Sequence, residues 1–98
     1  MSTSSPIIYQ LTNRQNIFIL NMMEFFSTKN SVSKEFEICI GRPKIQTPHW
    51  QCQWITMKGE SIHKELEEIS QCGKYEEKTK KLLNGIRECY INETKVKR

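Results

Sequence analysis

The chain has 98 residues, 37% hydrophobic and 27% charged, with 15 Lys and Arg against 11 acids for a formal charge of +4. That length holds one domain near the lower limit for a self-sufficient core, which excludes a multidomain enzyme. No apolar run reaches the roughly 18–20 residues of a membrane span, and the charge surplus is spread evenly, five bases against three acids in residues 1–50 and ten against eight in residues 51–98, whereas nucleic-acid modules gather theirs on one face.

Residues 1–5 (Met-Ser-Thr-Ser-Ser) read as a disordered lead, residues 6–92 as one globular domain and residues 93–98 as a basic solvated tail. Ile7 to Leu11 has β-type composition and reads as a short strand or ordered arm. Residues 16–27 are the most apolar stretch. As a strand they place Phe18, Leu20, Met22 and Phe26 on one face; as a helix they align Ile19, Met22, Met23 and Phe26. Their β-branched and aromatic content favours the strand. Lys29-Asn30-Ser31 signals a turn. Residues 34–40 then alternate, with Phe36, Ile38 and Ile40 opposite Glu35, Glu37 and Cys39, the pattern of a half-buried antiparallel strand. The two runs together read as a hairpin, stopped by Gly41-Arg42-Pro43.

A loop from Lys44 to His49 leads into a third strand, Trp50 to Met57, with Trp50, Cys52 and Trp54 on one side. Lys58-Gly59-Glu60-Ser61 is the next turn. Over residues 61–71, Ile62, Leu66 and Ile69 stand at helical spacing, while the hairpin-length turn before them allows a fourth strand. From Tyr75 to Tyr90 the positions 75, 79, 82, 83, 86, 89 and 90 form an apolar or small helical stripe, with Lys78, Lys80, Lys81, Asn84 and Arg87 among the polar residues opposite. Gly85 inside this helix costs about 1 kcal/mol against Ala, a cost that close packing on a strand explains.

The candidate chemistry is sparse. All eleven acids are Glu and there is no Asp, the residue type most used in metal-bound carboxylates and catalytic orienting groups. The chain also lacks Ala, consistent with an AT-rich gene. His49-x-x-Cys52 is the pair nearest to a metal or nucleophile arrangement. Zinc takes four ligands in close pairs, and Cys39, Cys72, Cys89 and His63 are isolated in sequence. A Cys–His nucleophile needs an orienting group and an oxyanion hole. The expectation is therefore no enzyme, no metal and no cofactor. The first dozen residues hold no Lys or Arg for a secretory n-region, so the chain is expected in the cytoplasm with its four cysteines as thiols.

Two groups of residues suit a partner. Trp50 and Trp54 are either core aromatics sharing a strand face or interface anchors, and Arg42, Lys44 and His49 share the loop before them as a docking edge. Glu60, Glu65, Glu67 and Glu68 are either a solvated face or carboxylates that mimic phosphates and steer a basic partner.

Ile38-Cys39-Ile40-Gly41-Arg42-Pro43, Trp50-x-Cys52, Gly59, and Gly73 before a helix bearing Leu82-Leu83 together resemble a family of small bacterial domains of unassigned function. That family runs strand, [Ile/Val]-Gly-[Arg/Lys]-Pro, loop, aromatic-x-Cys, strand, Gly and terminal amphipathic helix; the likeness spans roughly residues 17–91. Its helix usually opens Gly-x-Asp with Gln-Ala-Leu following, where this chain has Gly73-Lys74-Tyr75 and Lys80-Lys81-Leu82. The resemblance implies that residues 61–71 are a fourth strand. The expected fold is thus α+β, an antiparallel sheet of three to four strands in a meander with a C-terminal amphipathic helix packed on one face. In character the chain is also similar to immunity proteins of bacterial toxin systems, including contact-dependent growth inhibition. That likeness implies neutralisation of a cognate toxin domain, such as a nuclease, by occlusion. The competing expectation is a small nucleic-acid-binding regulator using Trp50, Trp54 and the lysines.

Overall fold

The computed structural model describes residues 7–41 and 53–95. Its elements in order are β1 (Ile8–Gln10), α1 (Asn13–Phe26), β2 (Glu35–Ile40), β3 (Gln53–Lys58), α2 (Gly59–Cys72), β4 (Lys74–Glu76) and α3 (Glu77–Thr94). The expected lead, residues 1–5, lies outside the described residues, as do residues 96–98.

The apolar stretch expected as a strand is helix α1. Thr12 caps it: the Thr12 hydroxyl accepts from the Gln15 amide at 3.1 Å, and the Gln15 side-chain oxygen accepts from the Thr12 amide at 2.9 Å. This reciprocal box satisfies two donors that a helix start otherwise leaves open. Ile19, Met22 and Phe26 are buried, a spacing that only a helix puts on one side. Burial of that stripe outweighs the weak β preference of its Ile and Phe residues. Residues 61–71 are likewise helical, within α2, burying Ile62, Leu66 and Ile69. Their local periodicity held, and the fourth strand implied by the resemblance did not.

With both segments helical, the strands form two separate two-stranded antiparallel sheets among the described residues instead of a meander. The partner of β2 is β3, in register from Glu35 opposite Lys58 to Ile40 opposite Gln53, and not residues 16–27. The arm β1 pairs with β4, setting Tyr9 opposite Tyr75 with rings stacked at 5.6 Å. A lone hairpin is marginal in water, so helices complete each one. The α3 helix lies across β2, which Gly85 meets at Ile38 and Cys39, and α1 packs on α2. Phe26 on Phe36 and Phe25 on Tyr90 make edge-to-face contacts at the core, an arrangement worth about 0.5–1.5 kcal/mol per pair beyond burial.

Three local devices fix these contacts. A Cβ at Gly85 would run into the Ile38 side chain and stand 2.6 Å from the Cys39 carbonyl oxygen, so the expected close approach of α3 to a strand is present. The amides of Gly59 and Glu60, which no side chain caps, donate to the carbonyls of Lys34 and Val32 at 2.9 Å each. They dock the start of α2 on the turn before β2. Gly73 ends α2 with φ of 73°, a left-handed cap conformation natural to glycine. Its carbonyl accepts from the Leu11 amide at 3.0 Å, tying down the end of the β1 arm. The C-terminal helix begins at Glu77 instead of Tyr75, because Tyr75 is spent as the buried residue of β4.

Candidate partner-binding faces

The four predicted acidic residues, Glu60, Glu65, Glu67 and Glu68, all lie on α2. Since Ile62, Leu66 and Ile69 turn inward, the 100° step of the helix sends the carboxylates to the remaining arc. Glu60 and Glu67 fall on one outward line. Glu65 and Glu68 occupy the flank, where with Cys72, Lys74, Tyr75 and Glu76 they border a cleft of about 350 Å³. None of the four pairs with a cation among the described residues, where the ion pair is Lys34–Glu93 at 3.2 Å. Four carboxylates against Lys64 give α2 a net −3, and Glu60 in the first turn also suits the positive end of the helix.

Trp54 is 60% exposed, which overturns its reading as a core aromatic. The reason is register: Ile55 and Met57 are the half-buried residues of β3, so Trp54, Thr56 and Lys58 face outward beside Glu35 and Glu37. Arg42, Lys44, His49, Trp50 and Cys52 lie outside the described residues, so of the expected docking edge only Trp54 is placed.

The cysteines depart from the expectation of four thiols. Cys39 is disulfide-bonded; Cys72 and Cys89 are free, the first exposed and the second buried. The expectation of thiols followed from the cytoplasmic compartment and not from any strand pairing; in the observed ladder Cys39 stands opposite Trp54. Burial pushes the Cys89 thiol up to about 11, with Glu93 adding to the rise and Lys34 opposing it. Among the described residues no three His, Cys or Glu side chains gather as metal ligands, and no helix is long and apolar enough to cross a membrane.

A second surface was missed in the sequence. Between α1 and α3 runs a groove of about 520 Å³. Ile19, Met22, Tyr75 and Leu83 are its buried residues, Phe18 and Ile17 form one wall, and Arg14, Lys80 and Arg87 supply its charge. The Arg87 guanidinium sits 5.4 Å from the Phe18 ring and the Lys80 ammonium 4.3 Å from the Tyr9 ring, contacts that hold each cation in place. Gln15, itself held by the cap, donates to the Tyr75 hydroxyl at 3.1 Å across one end. Lys80, Asn84 and Arg87 at i, i+4 and i+7 were a legible half of this surface; the other half was hidden by reading α1 as a strand. Comparison with protein-family models, with curated proteins and with solved structures finds no match to this chain.

Proposed function

We propose that this protein works by binding another protein, as an immunity protein that neutralises a cognate bacterial toxin domain, such as a nuclease, by occluding it. The observation that carries the reading is the acidic arc of α2: Glu60, Glu65, Glu67 and Glu68 on one helix of a chain whose overall charge is positive, with none of them neutralised by a described cation. A nuclease must present cations where phosphates bind. A rigid row of carboxylates offers it the same charge, speeds encounter and excludes the substrate. Trp54 adds an exposed aromatic of the kind that anchors interfaces. In this reading no group on the protein makes or breaks a bond, so no cofactor or metal enters.

An imported toxin is met in the cytoplasm, and that compartment is part of the proposal. A disulfide at Cys39 is the exception there, so its oxidation state in protein drawn directly from cells into an alkylating agent is a direct check on location. The function is tested by co-expression with the product of the adjacent gene. Restored growth and a co-purified complex that dissociates as salt is raised support the proposal; unrelieved toxicity with no complex refutes it.

A further inference from the structure

The groove between α1 and α3 is a second binding surface of opposite sign, and the proposed function does not use it. Arg14, Lys80 and Arg87 line it, and no acidic residue does. None of the three enters an ion pair with a described carboxylate; Arg87 lies over the ring of Phe18 in the groove wall, and Lys80 over Tyr9 on β1. Beneath them the groove is apolar, and Ile17 on its wall is 60% exposed.

We propose that this groove docks an acidic amphipathic helix of a partner protein, a reading that rests on protein binding as the mode of action. Length supports a helix: the wall runs from Arg14 to Asn21 on α1 and from Lys80 to Arg87 on α3, two turns each, or about 10 Å at 1.5 Å per residue. That is the span of apolar anchors at i, i+3, i+4 and i+7 on a third helix laid into the groove of two. Charge supports acidity, because three unneutralised cations border the apolar strip. The chain does not supply the occupant. Its segments outside the described residues, 1–6, 42–52 and 96–98, contain no acid. The outward face of α2 in a second copy has the acids but no large apolar side chain to enter the groove.

The test uses the full chain and a fluorescein-labelled peptide of about 16 residues with Leu anchors at that spacing and Glu on either side. Its counterpart has Lys in place of each Glu, and a single-stranded oligonucleotide of about 12 nucleotides completes the set. Fluorescence anisotropy is expected to show binding of the acidic peptide alone. The Arg14→Glu/Arg87→Glu variant should weaken it by at least about tenfold, as should rising salt. Both arginines are exposed, so the variant should keep its helical circular dichroism, and Arg14→Gln alone gives a milder second reading. No binding, equal binding of both peptides, indifference to the charge reversal, or tighter binding of the oligonucleotide each overturns the proposal. Rescue from the toxin without peptide binding removes the groove assignment alone; peptide binding without rescue removes the toxin assignment alone.

Discussion

Gly85 marks the closest approach of helix to strand, and a single methyl tests it. Gly85→Ala gains about 1 kcal/mol of helix propensity but drives the methyl into Ile38 and the Cys39 carbonyl. Overpacking costs typically about 1–3 kcal/mol, so this variant should unfold at lower urea than the parent; an equal or higher midpoint would mean that α3 stands off from β2. Cys89 gives a pH signature. Its thiol rises from 9.0 in the unfolded chain to about 11 in the fold, so the fold favours the protonated form. The associated stability is complete below pH 9 and is lost as pH rises towards 11, on the order of 2 kcal/mol at about 1.4 kcal/mol per unit. Cys89→Ala should flatten the loss measured by urea melts between pH 8 and 11; an unchanged slope contradicts the assignment.

The same residue scale shows what the sequence concealed. With Cys39 oxidised and Cys89 buried, native protein should alkylate rapidly at Cys72 and at neither Cys39 nor Cys89. Urea without reductant should open Cys89 to the reagent, and Cys39 should react only after reduction, located by peptide mass. Four rapid thiols in the native protein would deny both the bridge and the burial. The tight packing of Gly85 was legible because glycine is costly inside a helix without a reason. The exposure of Trp54 was not, since alternation does not say which face of a strand is buried, and the oxidation of Cys39 was not, since thiols followed from the expected compartment.

Among elements, α1 is the instructive error. Its residues 16–27 carry enough Ile and Phe to read as a strand, yet Thr12-Asn13-Arg14-Gln15 already spells a capping box, and the structure forms it. Thr12→Ala should cost about 1 kcal/mol, seen as a lower thermal midpoint with little change in the groove-independent fold. Indifference to the substitution would mean the cap contributes nothing. In α2 the reverse happened. Ile62, Leu66 and Ile69 spelled a helix locally, and the resemblance pulled the reading to a strand that does not exist. Residues 34–40 were correct as a strand because period-2 alternation survives any choice of partner, but pairing is a long-range fact and the neighbouring apolar run supplied a false one. The C-terminal helix was legible in its middle; its start moved from Tyr75 to Glu77 because Tyr75 pairs with Tyr9, and its end runs on to Thr94, so Glu93, paired with Lys34, belongs to the helix and not to the expected tail.

For the whole molecule, charge is sorted by element despite its even spread along the sequence. The α2 face is acidic, and the groove between α1 and α3 is lined by cations without acids. The acidic half was visible beforehand because its four residues fall within residues 60–68 of the sequence, whatever structure they adopt. The basic half required two helices distant in sequence, one of them misread. Such separation creates a directional field that favours oriented encounter with a charged partner at low salt. The central claim is that the α2 carboxylates occlude the toxin. It is tested most directly by growth of toxin-expressing cells supplied with graded amounts of the wild-type protein or of the Glu60→Gln/Glu65→Gln/Glu67→Gln/Glu68→Gln variant, matched for folded protein by circular dichroism. Wild type should restore growth and the variant should need at least about tenfold more protein to do so; equal rescue by the two would contradict it.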